Sequence, residues 1–306
     1  MQATLTQTIS FEGVGLHSGA PVTMSVHPAA ARFGIWFKRT DITDADNMIR
    51  AIYTGVGAKP LCSELSNDAG STISTVEHIM AALAGCGIHN ALIEVDGPEV
   101  PIMDGASGDF VRAIVEAGAQ KQAARLFAIE VLSPVMVEEN GAVAMLTPAD
   151  GLEIDFHIDF TDEAIGRQHK VLDMRNGTFV RELSDSRTFC RKADIDMMHE
   201  KGLALGGTYH NAVVVDGDAV LSPGGLRHED EAVRHKMLDA LGDLALAGAP
   251  ILGRYTGIKA GHAMTNKLLR KLFATPGSFR FVACSPDQLS RLPGVGVRKA
   301  DLALVA

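Results

Sequence analysis

The sequence predicts an α+β protein made of two units, residues 1–124 and 125–306, and three observations lead there. Each half runs from a group of short strands into a helix bearing histidine and carboxylate groups, then a strand, then a second helix. Between the halves, Ala117-Gly118-Ala119-Gln120-Lys121-Gln122-Ala123-Ala124 is small, polar and aperiodic, the composition of a linker. The 306 residues exceed one average domain, and with 46% hydrophobic and 21% charged residues each half can bury a core of its own. No residue-by-residue repeat is visible, so the kinship of the halves rests on element order, with their helices expected to meet.

In the first half, Thr4 to Phe11, Pro21 to His27 and Phe33 to Lys38 alternate or cluster apolar and β-branched residues, as strands do. Gly13-Val14-Gly15-Leu16-His17-Ser18-Gly19 has the glycines of a phosphate cradle, but no helical run follows it, so a turn is the better fit. A hairpin is expected at Asn67-Asp68-Ala69-Gly70, then a helix from Ser74 to Gly85, a strand from Asn90 to Val95, a turn at Asp96-Gly97-Pro98 and a helix from Ser107 to Gly118. In the second half, strands are expected at Phe127 to Leu132, Val135 to Glu138, Val143 to Leu146 and Leu152 to Phe160. The run Asp155-Phe156-His157-Ile158-Asp159 resembles a metal cluster, yet its period of two fits a strand with one polar face, and it is assigned as strand. A helix from Arg191 to Lys201 and a strand from Ala212 to Val215 follow. Next come a helix from Asp230 to Ala247, a strand from Ile251 to Lys259 and a helix from Gly261 to Phe273. Pro293-Gly294-Val295-Gly296-Val297-Arg298-Lys299 lacks the ending of a phosphate-binding loop and is assigned as loop.

The net charge of -9, with no basic cluster, argues against a nucleic-acid or anionic-membrane binder. Neither the basic head and apolar core of a signal peptide nor an apolar run of roughly 18 residues is present. A cytoplasmic, monomeric protein with no transmembrane segment is the expectation. Cys62, Cys86, Cys190 and Cys284 are scattered without CxxC spacing, so they are expected as free thiols.

The chemistry concentrates in the helix spanning Val233 to Leu246. His235, Asp239 and Asp243 stand at i, i+4 and i+8 and drift only roughly 40° per step, so they share one face. Met237, Leu238, Leu241 and Leu244 supply apolar surface to bury that helix, and buried carboxylates need partners. A divalent cation would satisfy the stripe; so would ordinary hydrogen bonds. Glu77 and His78 lie together near a helix start, where they suit a metal-bound-water site, but Ser74-x-x-Glu77 is also the capping-box pattern. His78 joins the His235/Asp239 pair only if the two helices meet; spacing cannot assign it. Two histidines and one carboxylate would then leave a zinc ion an open position for water.

Several distant motifs match one family. Thr75-Val76-Glu77-His78, Ser186-Arg187-Thr188-Phe189, His235 through Asp243 and Gly261-His262-Ala263-Met264-Thr265-Asn266-Lys267 closely resemble the UDP-3-O-acyl-N-acetylglucosamine deacetylases. Gly13 to Gly19, Asp96-Gly97-Pro98 and Pro101-Ile102-Met103-Asp104-Gly105 look like further signatures, and the resemblance covers nearly the whole chain except the carboxy-terminal tail. It implies a zinc-dependent amidase of lipid A biosynthesis that removes acetate from a UDP-linked, 3-O-acylated glucosamine. It also implies two β-α-α-β units with the helices sandwiched between two sheets.

By the same resemblance, His78, His235 and Asp239 hold zinc, Glu77 is the general base and His262 the general acid or charge stabiliser. Thr188 is expected to donate to the carbonyl oxygen on which charge develops, and Asp243 to orient His262 and raise its pKa. Lys236, on another line of the helix, is implied in substrate contact, although a solvated lysine is the commoner fate. Phe189 is expected to border the site. Residues 191–215, with Ile195, Met197, Met198, Leu203, Leu205 and Gly206-Gly207, resemble the insert that forms the acyl passage. Two alternatives stay open on the sequence: an amidase for another N-acylated sugar, differing in that insert, and a non-catalytic nucleotide-sugar or lipid-binding module with a structural metal.

Overall fold

The computed structural model describes residues 1–304 as an α+β fold. Its first half contains β1 (Ala3–Leu5), β2 (Ile9–Val14), β3 (Pro21–Pro28), β4 (Ile35–Arg39), β5 (Met48–Arg50), the hairpin strands β6 (Glu64–Ser66) and β7 (Thr72–Ser74), α1 (Glu77–Gly85), β8 (Ala91–Val95), α2 (Gly108–Ala117) and β9 (Ala119–Lys121). Strand alternation is literal: Ile9 and Phe11 of β2 are buried while Ser10 and Glu12 are exposed, and Val22, Met24 and Val26 of β3 enter the core. The hairpin forms where expected, Asn67 Oδ1 accepting from the backbone N–H groups of Ala69 and Ser71.

The second half contains β10 (Phe127–Val131), β11 (Val135–Glu139), β12 (Ala142–Thr147), β13 (Leu152–Asp159), β14 (Arg167–Asp173), α3 (Thr178–Glu182), β15 (Phe189–Arg191), α4 (Lys192–Glu200), β16 (Val213–Asp216), β17 (Ala219–Val220), α5 (Glu231–Ala245), β18 (Ile251–Ile258), α6 (His262–Ala274), β19 (Phe279–Ala283) and α7 (Pro286–Ser290). Asp155 to Asp159 lie in β13, as assigned.

The kinship of the halves is topological. One sheet runs β2-β3-β8-β4-β5 and the other contains β11-β12-β18-β13-β14, with the same polarities throughout. In each of these five-strand runs, the fourth-named strand is parallel to the third (β4 with β8, β13 with β18) and the other named neighbours are antiparallel; β10 adds a second parallel partner to β18. A parallel pair needs a crossover. The crossover of the first pair carries α1 and that of the second carries α5. These two helices lie against each other, α5 also resting on β13 and β14. Their approach depends on Gly242, where a Cβ would stand 2.1 Å from the carbonyl oxygen of Glu77. One continuous core runs through both halves, including Ile79 and Leu83 of α1 and Leu238 and Leu241 of α5.

One segment differs from expectation, and two elements form where the sequence pattern offers no reading. Residues 119–121 of the expected linker form β9, paired with β1 from Ala3↔Lys121 to Leu5↔Ala119, because backbone N–H and C=O groups pair whatever the side chains. β14 was not anticipated: Arg-Gln-His-Lys-Val-Leu-Asp carries almost no apolar pattern, since an edge strand need bury little. In the tail, β19 pairs antiparallel with β10, and Leu292 is buried against Leu126 and Leu252. Among the described residues no helix is long and apolar enough to cross a membrane. Cys62 and Cys86 are buried, Cys190 and Cys284 are partly so, and all four are free thiols.

Candidate metal centre and active site

α1 opens on Glu77 and His78, and the chain enters it through Thr75, which adopts φ +59°, a costly conformation for a β-branched residue. The capping box does not form. Val76 holds the N-cap position without a side-chain cap, and the Ser74 hydroxyl donates to Glu64 instead. The Glu77 carboxylate is turned inward, where Oε2 accepts the backbone N–H of Ser63 at 3.0 Å. Burial pushes Glu77 up to about 7, a rise that nearby His262 partly opposes.

His78, His235 and Asp239 converge where α1 meets α5. Each offers one donor atom, all three within 4.8 Å of one another. Asp239 Oδ1 lies 3.3 Å from His235 Nε2 and 3.7 Å from His78 Nε2, and the two rings meet edge to face with centroids 5.1 Å apart. His235 Nδ1 donates to the carbonyl of Ser186 at 3.0 Å, which fixes the neutral tautomer with its Nε2 lone pair facing Asp239. Burial, and then His235 alongside, holds His78 down at about 3, and burial also lowers His235. Although buried, Asp239 Oδ1 has no hydrogen-bond partner among the described residues. A buried carboxylate oxygen without a hydrogen-bond partner, facing two neutral imidazoles, is a donor set that a divalent cation would satisfy, so the residues fit a divalent metal.

Beside this triad stands a second one. His262, at the first position of α6, donates from Nδ1 to Asp243 Oδ2 at 2.8 Å, and Asp243 Oδ1 accepts the Ser63 hydroxyl at 2.6 Å. His262 Nε2 then faces Glu77 Oε1 at 3.7 Å and Asp239 Oδ2 at 3.9 Å. Burial alone would lower His262, but Asp243, followed by Glu77 and Asp239, raises it to about 9. Ser63 thus touches both Glu77 and Asp243, tying the two carboxylates to one loop.

A cleft of about 780 Å³ opens onto these groups. Glu77, His78, Thr188, Phe189, Lys236 and His262 line it, together with His235 and Asp239; Asp243 lies beneath His262, outside the lining. Lys236, from its own line of the helix, reaches forward one turn into the site, where its Nζ donates to Asp239 Oδ2 at 2.8 Å. Thr188 is fixed by its backbone, whose N–H donates to Gly105 and whose C=O accepts from Val213. The Phe189 ring stands 6.3 Å from that of His235. Ile195, Met197 and Met198 of α4 line the apolar arm of the cleft, as does Gly207, whereas Leu203, Leu205 and Gly206 do not. The Leu205 and Gly206 backbones hydrogen-bond to His17 and Leu16. A Cβ on Gly206 would meet the Gly15 carbonyl oxygen at 2.2 Å. The glycines of the 13–19 turn therefore serve close packing: Gly19 lies against the Leu205 and Gly206 backbones of the insert, Gly15 against Glu99 and Gly13 against Pro101.

Sequence reasoning missed His17 and Lys59, which also line the cleft, and the part played by Glu99. Glu99 accepts from the backbone N–H groups of His17 and Ser18 and from the Thr75 hydroxyl, so it joins the turn to the residue that feeds α1. Nothing in sequence spacing links 17, 59, 75 and 99. Also missed was Glu231, the first residue of α5, which grips Arg187 through its backbone N–H and Nε at 2.9 Å each.

Two imidazoles and a carboxylate, a buried glutamate and a charged histidine–aspartate pair at the end of an apolar cleft are the equipment of a metal-dependent hydrolase. The family model for UDP-3-O-acyl N-acetylglycosamine deacetylase matches residues 2–274. The chain is 47% identical over 286 residues to a UDP-3-O-acyl-N-acetylglucosamine deacetylase of Phenylobacterium zucineum (strain HLK1), covering 94% of this chain and 98% of that protein. It is 46% identical over 284 residues to the enzyme so named from Shewanella frigidimarina (strain NCIMB 400), covering 92% of each. The chain belongs to the UDP-3-O-acyl N-acetylglycosamine deacetylase family, whose members are metalloamidases.

Proposed function

We propose that the protein hydrolyses the N-acetyl group of UDP-3-O-acyl-N-acetylglucosamine, releasing acetate in lipid A biosynthesis, with zinc held by His78, His235 and Asp239. The observation that carries this is the unpartnered Asp239 Oδ1 facing two neutral imidazoles, 3.3 and 3.7 Å away, in a cleft with an apolar arm. Zinc bound there supplies positive charge that brings the pKa of water down to about 7. In the division at residue 124 proposed here, the first unit contributes Glu77 and His78, and the second contributes the other ligands and the acid.

Glu77 takes the proton of the attacking water on Oε1, the oxygen that faces the cleft. Its other oxygen is held by the Ser63 N–H, and a carboxylate near neutrality is a matched base at physiological pH. As the acetamide carbon becomes tetrahedral, the Thr188 hydroxyl donates to the oxygen that gains charge. His262, kept cationic by Asp243, offers its Nε2 proton to the departing amine, which leaves poorly as an anion. Lys236 sits where it can meet the sugar or its diphosphate while holding Asp239 Oδ2. Ile195, Met197 and Met198 take the 3-O-acyl chain, and Phe189 bounds its entry.

Acetate release from the acylated UDP sugar by purified protein tests the whole proposal. Turnover should vanish with a chelator and return with zinc, and the non-acylated UDP sugar should turn over far more slowly. Undiminished turnover after metal removal would refute the metal assignment, and equal rates on both sugars would refute the acyl passage.

A further inference from the structure

A second convergence of two imidazoles and a carboxylate lies outside the cleft. β13 and β14 are antiparallel, with His157 directly opposite His169, and Asp155 shares the face of His157 two residues earlier. Ile154, Phe156 and Ile158 point into the core, so these three side chains stand on the outer face of the sheet. The two imidazoles stack with centroids 3.8 Å apart and planes 8° from parallel. Their Nε2 atoms lie 3.0 and 2.9 Å from the same oxygen, Asp155 Oδ1. Arg254 donates to the other oxygen, Oδ2, at 2.7 Å and so orients the carboxylate toward the histidines.

We infer that Asp155, His157 and His169 form a second divalent-cation site, for zinc or another borderline transition ion, independent of the His78–His235–Asp239 centre. Donors bound tetrahedrally at about 2.0–2.1 Å stand about 3.3 Å apart. The contacts to Asp155 Oδ1 are already slightly shorter than that, whereas the two rings lie nearly parallel and must tilt for their in-plane lone pairs to converge. His157 and His169 are partly exposed, with 38% and 51% of their side chains accessible, so both rings are free to tilt until their lone pairs meet on one ion. Two imidazole nitrogens with one carboxylate oxygen suit zinc, nickel or copper rather than magnesium or calcium. Ordinary hydrogen bonding uses less of the arrangement: His169 forms a hydrogen bond to Asp155, and the equally close His157 does not.

The position gives the site a mechanical consequence. β14 is an edge strand bound to the start of α5 by Gln168, which accepts the Val233 N–H at 3.0 Å, and by Lys170, which pairs with Asp230 at 2.8 Å. An ion bridging β13 to β14 braces the hairpin on which the His235 helix rests. Solvent at the open side completes the coordination, so the site remains exchangeable.

Calorimetric titration with zinc chloride of protein already carrying one equivalent of zinc tests this. Uptake of one further ion per chain is expected. His157→Ala and His169→Ala should each weaken that second uptake at least tenfold while leaving acetate release within about twofold of wild type, because both side chains stand on the outer face. Circular dichroism confirms that the variants are folded. No uptake beyond the first ion, or wild-type uptake by either variant, overturns the assignment. Loss of catalytic zinc alone leaves this second uptake intact, so failure of the proposed activity and failure of this site are distinguishable.

Discussion

Replacing Asp243 with asparagine removes one charge and almost no volume, and its effect should be a displacement of the pH profile instead of a uniform loss. Asp243 Oδ2 accepts from His262 Nδ1 at 2.8 Å, and of the three carboxylates that raise His262 it contributes most. The rise from 6.5 to about 9 is worth about 3 kcal/mol in favour of the imidazolium, achieved against burial. Taking away the largest contributor should lower the His262 pKa by about 1–2 units, Glu77 and Asp239 sustaining the rest. The sign follows from the role: the acid must be protonated, so activity is lost on the alkaline side as His262 deprotonates. In kcat/KM against pH for Asp243→Asn, the basic limb should therefore move down by about 1–2 pH units while the acidic limb, set by Glu77, moves down less, because burial is the main cause of the rise in Glu77 and Asp243 a smaller one. The variant should approach wild type near pH 6 and fall about tenfold below it near pH 8.5. A basic limb that does not move, or an equal loss at every pH, would refute the claim that Asp243 acts by holding the His262 proton.

Glu77→Gln should retain zinc at one ion in the centre and lose about 10²–10⁴-fold in turnover, because it removes a base and no ligand; metal analysis alongside acetate release checks both halves. His78→Ala should lose the ion and the activity together, and a fully active, zinc-loaded His78→Ala protein would remove that residue from the ligand set. Gly242→Ala places a Cβ 2.1 Å from the Glu77 carbonyl oxygen, so α1 and α5 must part. Thermal melts should show a loss of about 1–3 kcal/mol, with turnover falling as Glu77 and His78 are displaced from Asp239. A wild-type melt would mean that the helices tolerate a wider spacing.

How much of this was legible in the sequence depends on whether the signal was local. His235, Asp239 and Asp243 share a face because helical periodicity alone puts them there, and the site helix was bounded to within a residue or two. The period of two that made Asp155 to Asp159 a strand also held. Glu77 shows the limit: Ser74-x-x-Glu77 satisfies the capping-box pattern, but Ser63, fourteen residues earlier in the chain, offers its N–H to the carboxylate and the pattern gives way. Contacts of that kind leave no trace in spacing, and Glu99 with His17, Ser18 and Thr75 is another. The Lys236–Asp239 contact, by contrast, is local. A lysine three residues before an aspartate on a helix is in reach of it, and a buried acceptor outweighs solvent.

The matching sheets explain why the site lies where no repeat could be read. α1 and α5 occupy the same place, the crossover of the parallel strand pair in each sheet, and each begins with a buried glutamate. Equivalent positions have then been put to different uses. Glu77 keeps one oxygen toward the cleft, whereas Glu231 spends both of its oxygens on the Arg187 guanidinium and on the backbone N–H groups of Arg187 and Arg227. That second use also serves the site, because Arg187 lies between Ser186, whose carbonyl fixes the His235 tautomer, and Thr188, whose hydroxyl is proposed to meet the substrate carbonyl. A glutamate in one half facing the reaction and its counterpart bracing the strand beside it require no shared sequence, only a shared crossover.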